Sequence, residues 1–201
     1  MELLTQNSKI KSTSKALGVK LMNFGIVAYK SKSGKLTCPF ADKCVKYCYA
    51  QKGAYIWSNV KPAFEKRYEA TLRDDFAEVM TDEISRKRPD FVRVHDSGDF
   101  YSKAYIQKWY TVAKNHPKVK FYAYTNSLNI VRESIAPANF DFIFSDGGKL
   151  ADTIDKDTER HSMVFKTHNE MKKRGYIDAS KMDLLATKWY NHSNKVGLIF
   201  H

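Results

Sequence analysis

Cysteine is almost missing from this chain. There are three in 201 residues, all between positions 38 and 48. Proline (five) and glycine (nine) are also scarce, which excludes collagen-like, linker-like and disulfide-stapled architectures. No apolar run approaches the ~20 residues a membrane-spanning helix needs, so no membrane partner is expected. The opening stretch MELLTQNSKIKSTSKALG lacks the continuous apolar segment of a secretory leader. The expected compartment is therefore a reducing cytoplasm, where disulfides do not persist. Acids are in the minority, 22 against 34 Lys and Arg, for a formal charge of +12. That balance attracts polyanions, so nucleic acid or an acidic host protein is an expected partner. The basic residues are spread through KIKSTSK, KRYEATLRDD, RKR and MKKRG, many beside acids, which also fits a generally basic solvated surface.

What is present reads as globular: 43% apolar and 13% aromatic residues, in a length that suits one domain over 1–201. Residues 1–20, rich in Lys and Ser, read as a loosely ordered lead-in. FGIVAYK (24–30) has the apolar, β-branched character of a buried first strand. From 58 to 88, Phe64, Tyr68, Leu72, Phe76, Val79, Met80 and Ile84 recur at spacings of three and four. That pattern predicts one long helix that starts at SNVKP and ends at RKRP. FVRVHD (91–96), KFYAYT (120–125), FDFIFSD (140–146), HSMVF (161–165) and KVGLIF (195–200) complete six predicted strands. Helices are expected at 102–116 and near 129–135. Strands alternating with helices predict an α/β fold, a partial (β/α)6-type barrel with mostly parallel strands and outer helices. In such folds, functional atoms gather at the C-terminal ends of the strands.

The loop after the first predicted strand, CPFADKCVKYCYA, carries Cys38, Cys44 and Cys48 in the spacing C-x5-C-x3-C. Three soft thiolates on one short loop can converge on a metal centre. A closed zinc site usually takes four protein ligands, so zinc would need His95, His161 or a carboxylate as well. A [4Fe-4S] cluster held by three cysteines leaves one iron open, and fits the count with no recruit. A redox disulfide and three unrelated thiols are the other readings. Lys35, Lys43, Lys46 and Lys52 flank the loop and are expected to offset the cluster's negative charge.

The second strand ends in HDSGDF, which sets His95, Asp96 and Asp99 as candidate catalytic groups around Ser97 and Gly98, candidate cofactor contacts. The alternative is an Asx turn that caps the next helix. Thr125 and Asn126 in YTNS end the third strand, and Ser145 in FSDGG ends the fourth; these complete the candidate cofactor-binding residues. His161 and His201 are lone histidines with no evident partners.

Tyr47-Cys48, Cys44 and the acidic turn SGD at 97–99 resemble the cluster loop and second-strand turn of radical S-adenosylmethionine proteins, whose usual loop is C-x3-C-x2-C. That resemblance implies a [4Fe-4S] cluster on Cys38, Cys44 and Cys48, with S-adenosylmethionine on the open iron and oxidoreductase or lyase chemistry on an unknown substrate. More closely, CPFADKCVKYCYA, VRVHDSGDFYSKAYIQKW, FYAYTNS and KVGLIFH together resemble the phage "gene product 88" family. That likeness covers most of residues 20–201, implies a phage-encoded protein and names no reaction. A cluster-bearing regulatory module on nucleic acid or a host protein, and a zinc-dependent hydrolase, are the alternative functions.

Overall fold

Among the described residues there are seven short strands and six helices, with a helix, a 3-10 turn or a loop crossing between successive strands, because each parallel pair needs a crossover connection. The computed structural model describes residues 2–200. Strands β1 (Leu21–Phe24), β2 (Phe91–Val94), β3 (Lys120–Thr125), β4 (Phe140–Ser145), β5 (His161–Phe165), β6 (Ile177–Asp178) and β7 (Lys195–Ile199) form one sheet. Its order is β1-β2-β3-β4-β5-β7-β6, and every adjacent pair is parallel. The sheet curls into a half-barrel.

Both faces of the sheet are covered. On one side α2 (Lys61–Leu72), α3 (Phe76–Lys87) and α4 (Lys103–Asn115) pack Phe76, Met80, Ile84 and Trp109 onto Phe24, Val92, Val94 and Phe121. On the other, α1 (Ser8–Leu17) and a 3-10 turn at Asp183–Ala186 bring Ile10 and Leu184 against Leu21, Phe91, Tyr122 and Val196. The strands alternate between these two cores with the period of two that a pleated strand imposes. The remaining helices, α5 (Leu128–Arg132) and α6 (His168–Lys173), are short connectors.

Four of the sequence expectations need correction. The lead-in is not loose: residues 8–17 form α1, capped by Asn7 Oδ1 accepting from Ile10 N at 3.0 Å and closed by Gly18 at φ +64°. Only Ile10 and Thr13 of that helix are buried, so its apolar stripe was too thin to read. The first strand is LMNF, not FGIVAYK. It is followed by Gly25, where the Asp96 carboxylate occupies the space in which a side chain would stand. Ile26 and Val27 are buried after the strand, beneath the loop that follows. The 58–88 helix is two helices, broken where Arg73 turns extended (ψ 146°) and Lys108 Nζ takes the carbonyls of Thr71 and Arg73. The sixth predicted strand is the seventh in fact, because the two-residue β6 precedes it in sequence and pairs at the sheet edge. His201 lies outside the described residues.

Candidate functional site

The segment between β1 and α2 is the longest irregular stretch of the chain, and it lies across the C-terminal edge of the sheet. Its start is tied down by Thr37, whose Oγ1 donates to Val27 O at 2.7 Å and whose carbonyl accepts from Asp99 N at 3.0 Å. Its middle is tied to the loop after β4: Cys44 N donates to Gly147 O at 3.1 Å and Lys149 N to Phe40 O at 2.8 Å. Gly147 keeps this contact close, since a Cβ would stand 3.1 Å from the Tyr47 hydroxyl and 3.2 Å from Cys44 Cβ and would press on both. Its end is held by the Tyr49 hydroxyl, which donates to the Asp96 carbonyl. The three cysteines therefore hang over the ends of β2, β3 and β4, the rim that the strand pattern predicted.

All three thiols are free and partly buried. Burial pushes the Cys38 thiol well above the usual range, and the Asp99 carboxylate and Cys48 push in the same direction. Burial also raises Cys44, again with Cys48 and Asp99 adding to it. Cys38 and Cys44 thus both feel Cys48 and Asp99, so the four groups share one electrostatic neighbourhood. Lys35, Lys43, Lys46 and Lys52 are exposed, and the strongest influences on these thiols are burial, backbone donors and neighbouring acids. Without a bound cation, burial favours the protonated form of the Cys38 and Cys44 thiols.

Asp99 is the hub beneath the loop. Its Oδ1 accepts from Thr125 Oγ1 at 2.6 Å and Phe100 N at 2.7 Å, and its Oδ2 from Asn126 N at 2.8 Å. Burial raises its pKa to about 6 against the pull of those donors. Asn126 extends the network to sulfur, with Nδ2 3.8 Å from Cys44 Sγ, while its buried Oδ1 has no partner. Gly148 leaves room for that side chain, because a Cβ there would come within 2.6 Å of Asn126 Oδ1. Cys38, Cys44, Cys48, Asp99, Thr125 and Asn126 are thus brought together.

The other candidates are placed elsewhere. His95 adopts φ +65°, which ends β2 and swings its ring into the helix-side core. There it packs 4.5 Å from Phe100, bonds Tyr105 Oη through Nε2 at 2.9 Å, and is held neutral, with its pKa lowered to about 3 by burial. It is a core imidazole rather than a rim base. Asp96 points to the opposite side of the sheet, where Oδ2 accepts from Asn23 Nδ2 at 2.7 Å and Asn7 Nδ2 at 3.2 Å; burial raises its pKa, and Oδ1 has no partner. Ser97 is buried and offers its carbonyl to Ile26 N. Gly98 sits at φ +82°, against Ile26. Ser145 lies in the β4–β5 pairing, opposite Ser162, with no side-chain hydrogen bond. His161 is committed to Tyr176 Oη at 2.8 Å and Glu159 O at 2.9 Å. Both histidine rings are thus engaged away from the cysteine loop. Among the described residues, no group of three or more His, Cys, Asp or Glu is disposed to hold a single metal ion.

Sequence reasoning missed the polar groups on the Asp183 side of the sheet. Asn23 and Arg93 interrupt the apolar strands LMNF and FVRV, and both are buried. A polar residue in a strand covered on both faces was the available signal. Arg93 NH1 meets Asp183 Oδ1 at 3.0 Å and its guanidinium lies 4.9 Å from the Tyr124 ring.

The tight contact around Gly25 yields a direct test. A Cβ at that position would stand 1.9 Å from Asp96 Oδ1 and 2.9 Å from Phe64, inside the β1–β2 junction. Gly25→Ala is expected to cost about 2–3 kcal/mol, the size of an overpacked core substitution. A urea midpoint unchanged from the parent would show that the junction yields instead.

A family model described as "Gene product 88" matches residues 1–197. Two curated relatives, each a "Gene 88 protein", come from Mycobacterium phages L5 and D29. Each is 33% identical over 101 residues, 44% of this chain and 42% of the relative. The match therefore spans less than half the length of those relatives. No solved structure matches the chain. The likeness to radical S-adenosylmethionine proteins gains no support from these matches. Among the described residues, no helix is long and apolar enough to cross a membrane.

Proposed function

The chain belongs to the gene product 88 family, and from that premise we propose that it is a [4Fe-4S] protein whose cluster is held by Cys38, Cys44 and Cys48. The observation that carries the reading is the pinning of three free thiols over the ends of β2, β3 and β4, beside Asp99 and Asn126. The donor set fits this group better than one ion. Tetrahedral zinc at ~2.3 Å from each sulfur would draw the thiolates to within ~4 Å of one another, with a fourth ligand. The described residues offer no such group. A cubane takes each thiolate on a different iron and needs no fourth protein ligand.

When bound, such a cluster supplies one-electron chemistry and a Lewis-acidic iron that no cysteine occupies. This chain's own residues do the rest. Asn126 Nδ2 donates toward Cys44 Sγ, the kind of contact that tunes a cluster's potential. Asp99 holds Asn126 and Thr125 in place from below, and its raised pKa makes it a group able to carry a proton near neutrality. Asn126 Oδ1, buried and unpartnered, is the acceptor left free to orient a ligand's N–H or O–H. S-adenosylmethionine is the chelating ligand to try at the open iron, since the cysteine loop resembles those that bind it. The substrate, and whether a reaction follows, are further steps that the test separates.

The test is purification and reconstitution without oxygen, followed by iron, sulfide and zinc analysis. About four iron and four sulfide per chain, with brown colour, are expected. Colourless protein with one zinc per chain would overturn the reading. Reduced holoprotein that left S-adenosylmethionine intact would remove its cleavage as the mechanism and keep the cluster as a redox or structural element.

A further inference from the structure

The lobe that carries the cysteines holds a share of the charge out of proportion to its length. Residues 29–66 contain eight lysines against Asp42 and Glu65, half of the chain's net charge of +12 in less than a fifth of its length. All eight lysines are exposed, and none enters an ion pair among the described residues. What sets this lobe apart is the density of positive charge that neighbouring acids do not offset.

The same lobe displays aromatic and apolar side chains that the core does not use. Trp57 is 60% exposed, Ile56 54% and Tyr49 53%, on consecutive 3-10 turns that lack the amphipathic stripe of a membrane-surface helix. Between those turns and the start of α2 lies a cavity of about 170 Å³, with Tyr29, Tyr55 and Phe64 as flat walls. Lys30 and Lys61 stand on its wall, and Ser97 and Gln51 offer polar edges. Flat walls beside unpaired ammonium groups match a planar ring attached to phosphate.

We propose that this lobe docks single-stranded nucleic acid, with bases stacked on Trp57 and Tyr49, one base in the cavity and the backbone tracked by Lys30, Lys52 and Lys61. A single strand rather than a duplex fits, because stacking on exposed rings requires bases that are not already stacked in a helix. The inference stands apart from the cluster: it uses the lysines and rings of the lobe and none of the cysteines.

The experiment is fluorescence anisotropy of the full chain with a labelled single-stranded oligonucleotide of about 16 nucleotides, over a series of salt concentrations. Affinity is expected to fall log-linearly with salt, by a slope of about 0.7 for each phosphate contacted. Trp57→Ala, on an exposed ring, is expected to weaken binding about ten-fold. Lys52→Glu with Lys61→Glu is expected to flatten the salt slope by about 1.4. Lys172→Glu with Lys173→Glu, the same charge change on exposed positions of α6, is expected to leave affinity and slope unaltered. Circular dichroism and iron content on the same preparations separate loss of docking from loss of fold or of cluster. Equal losses from the two double variants would reduce the effect to bulk charge and overturn the proposal. So would duplex binding as tight as single-strand binding, or binding to anionic vesicles with the oligonucleotide left free.

Discussion

Cys38→Ser, Cys44→Ser and Cys48→Ser are each expected to abolish the brown cluster, dropping iron from about four per chain to a trace after anaerobic reconstitution. Serine is close in size, and none of the three thiols belongs to the hydrophobic cores, so the metal-free variants should keep the urea midpoint of the metal-free parent. Any stability gap should appear only in the loaded protein, where a ligand that binds the folded state alone adds to its stability. The three positions are not equivalent. Cys38 is the most strongly desolvated thiol and feels the Asp99 carboxylate, so its pKa should fall furthest when metal binds. Asn126→Ala tests the layer beneath: it removes the Nδ2 contact to Cys44 without removing a ligand. It should keep the iron and shift the reduction potential. Variants that retained full iron after loss of any one cysteine would show that the thiols do not act as a set, and the cluster reading would fail with them.

The sheet was legible because its strands are short apolar runs bounded by turn residues, and helices at 102–116 and near 129–135 were periodic enough to see. The rim was legible too, since parallel strands place their following loops on one edge, and the polar clusters at 95–100, 125–127 and 145–148 all follow strands. What could not be read was direction. His95 and Asp96 are neighbours in sequence, yet the left-handed backbone at His95 sends one into the Phe100–Tyr105 core and the other toward Asn23. No periodicity predicts that reversal. The α1 helix was hidden because its stability comes from an Asn7 cap and tertiary contacts rather than from its own apolar stripe. Asp183 escaped notice for a similar reason: DLLA offers no pattern, and its partners lie far away in sequence.

Those distant partners make Asp183 the residue whose loss should damage the fold most. Its carboxylate is fully buried and meets Arg93 NH1 at 3.0 Å, Lys9 Nζ at 2.6 Å and the Tyr122 hydroxyl at 2.5 Å, while its backbone N–H donates to Thr13 Oγ1 at 3.1 Å. One side chain thus ties α1, β2 and β3 to the turn that covers the second core. Burial alone would raise its pKa, but the charges of Arg93 and Lys9 outweigh it and hold the group down at about 2. Asp183→Asn leaves the buried Arg93 without its counter-charge, so a loss of about 3–5 kcal/mol at neutral pH is expected. The pH dependence carries its own sign. A carboxylate whose folded pKa lies below its unfolded value stabilises above the unfolded pKa near 3.8, and that contribution fades as pH falls toward 2. The linkage amounts to about 2 kcal/mol in full, so the gap between parent and variant should narrow by about 1 kcal/mol between pH 7 and pH 3. Reading the difference between the two proteins removes the opposite trend of Asp99, whose raised pKa makes folding more favourable in acid. Urea midpoints of both proteins at the two pH values decide it. A gap that stayed constant with pH would mean that Asp183 acts through shape and hydrogen bonding, not through its charge.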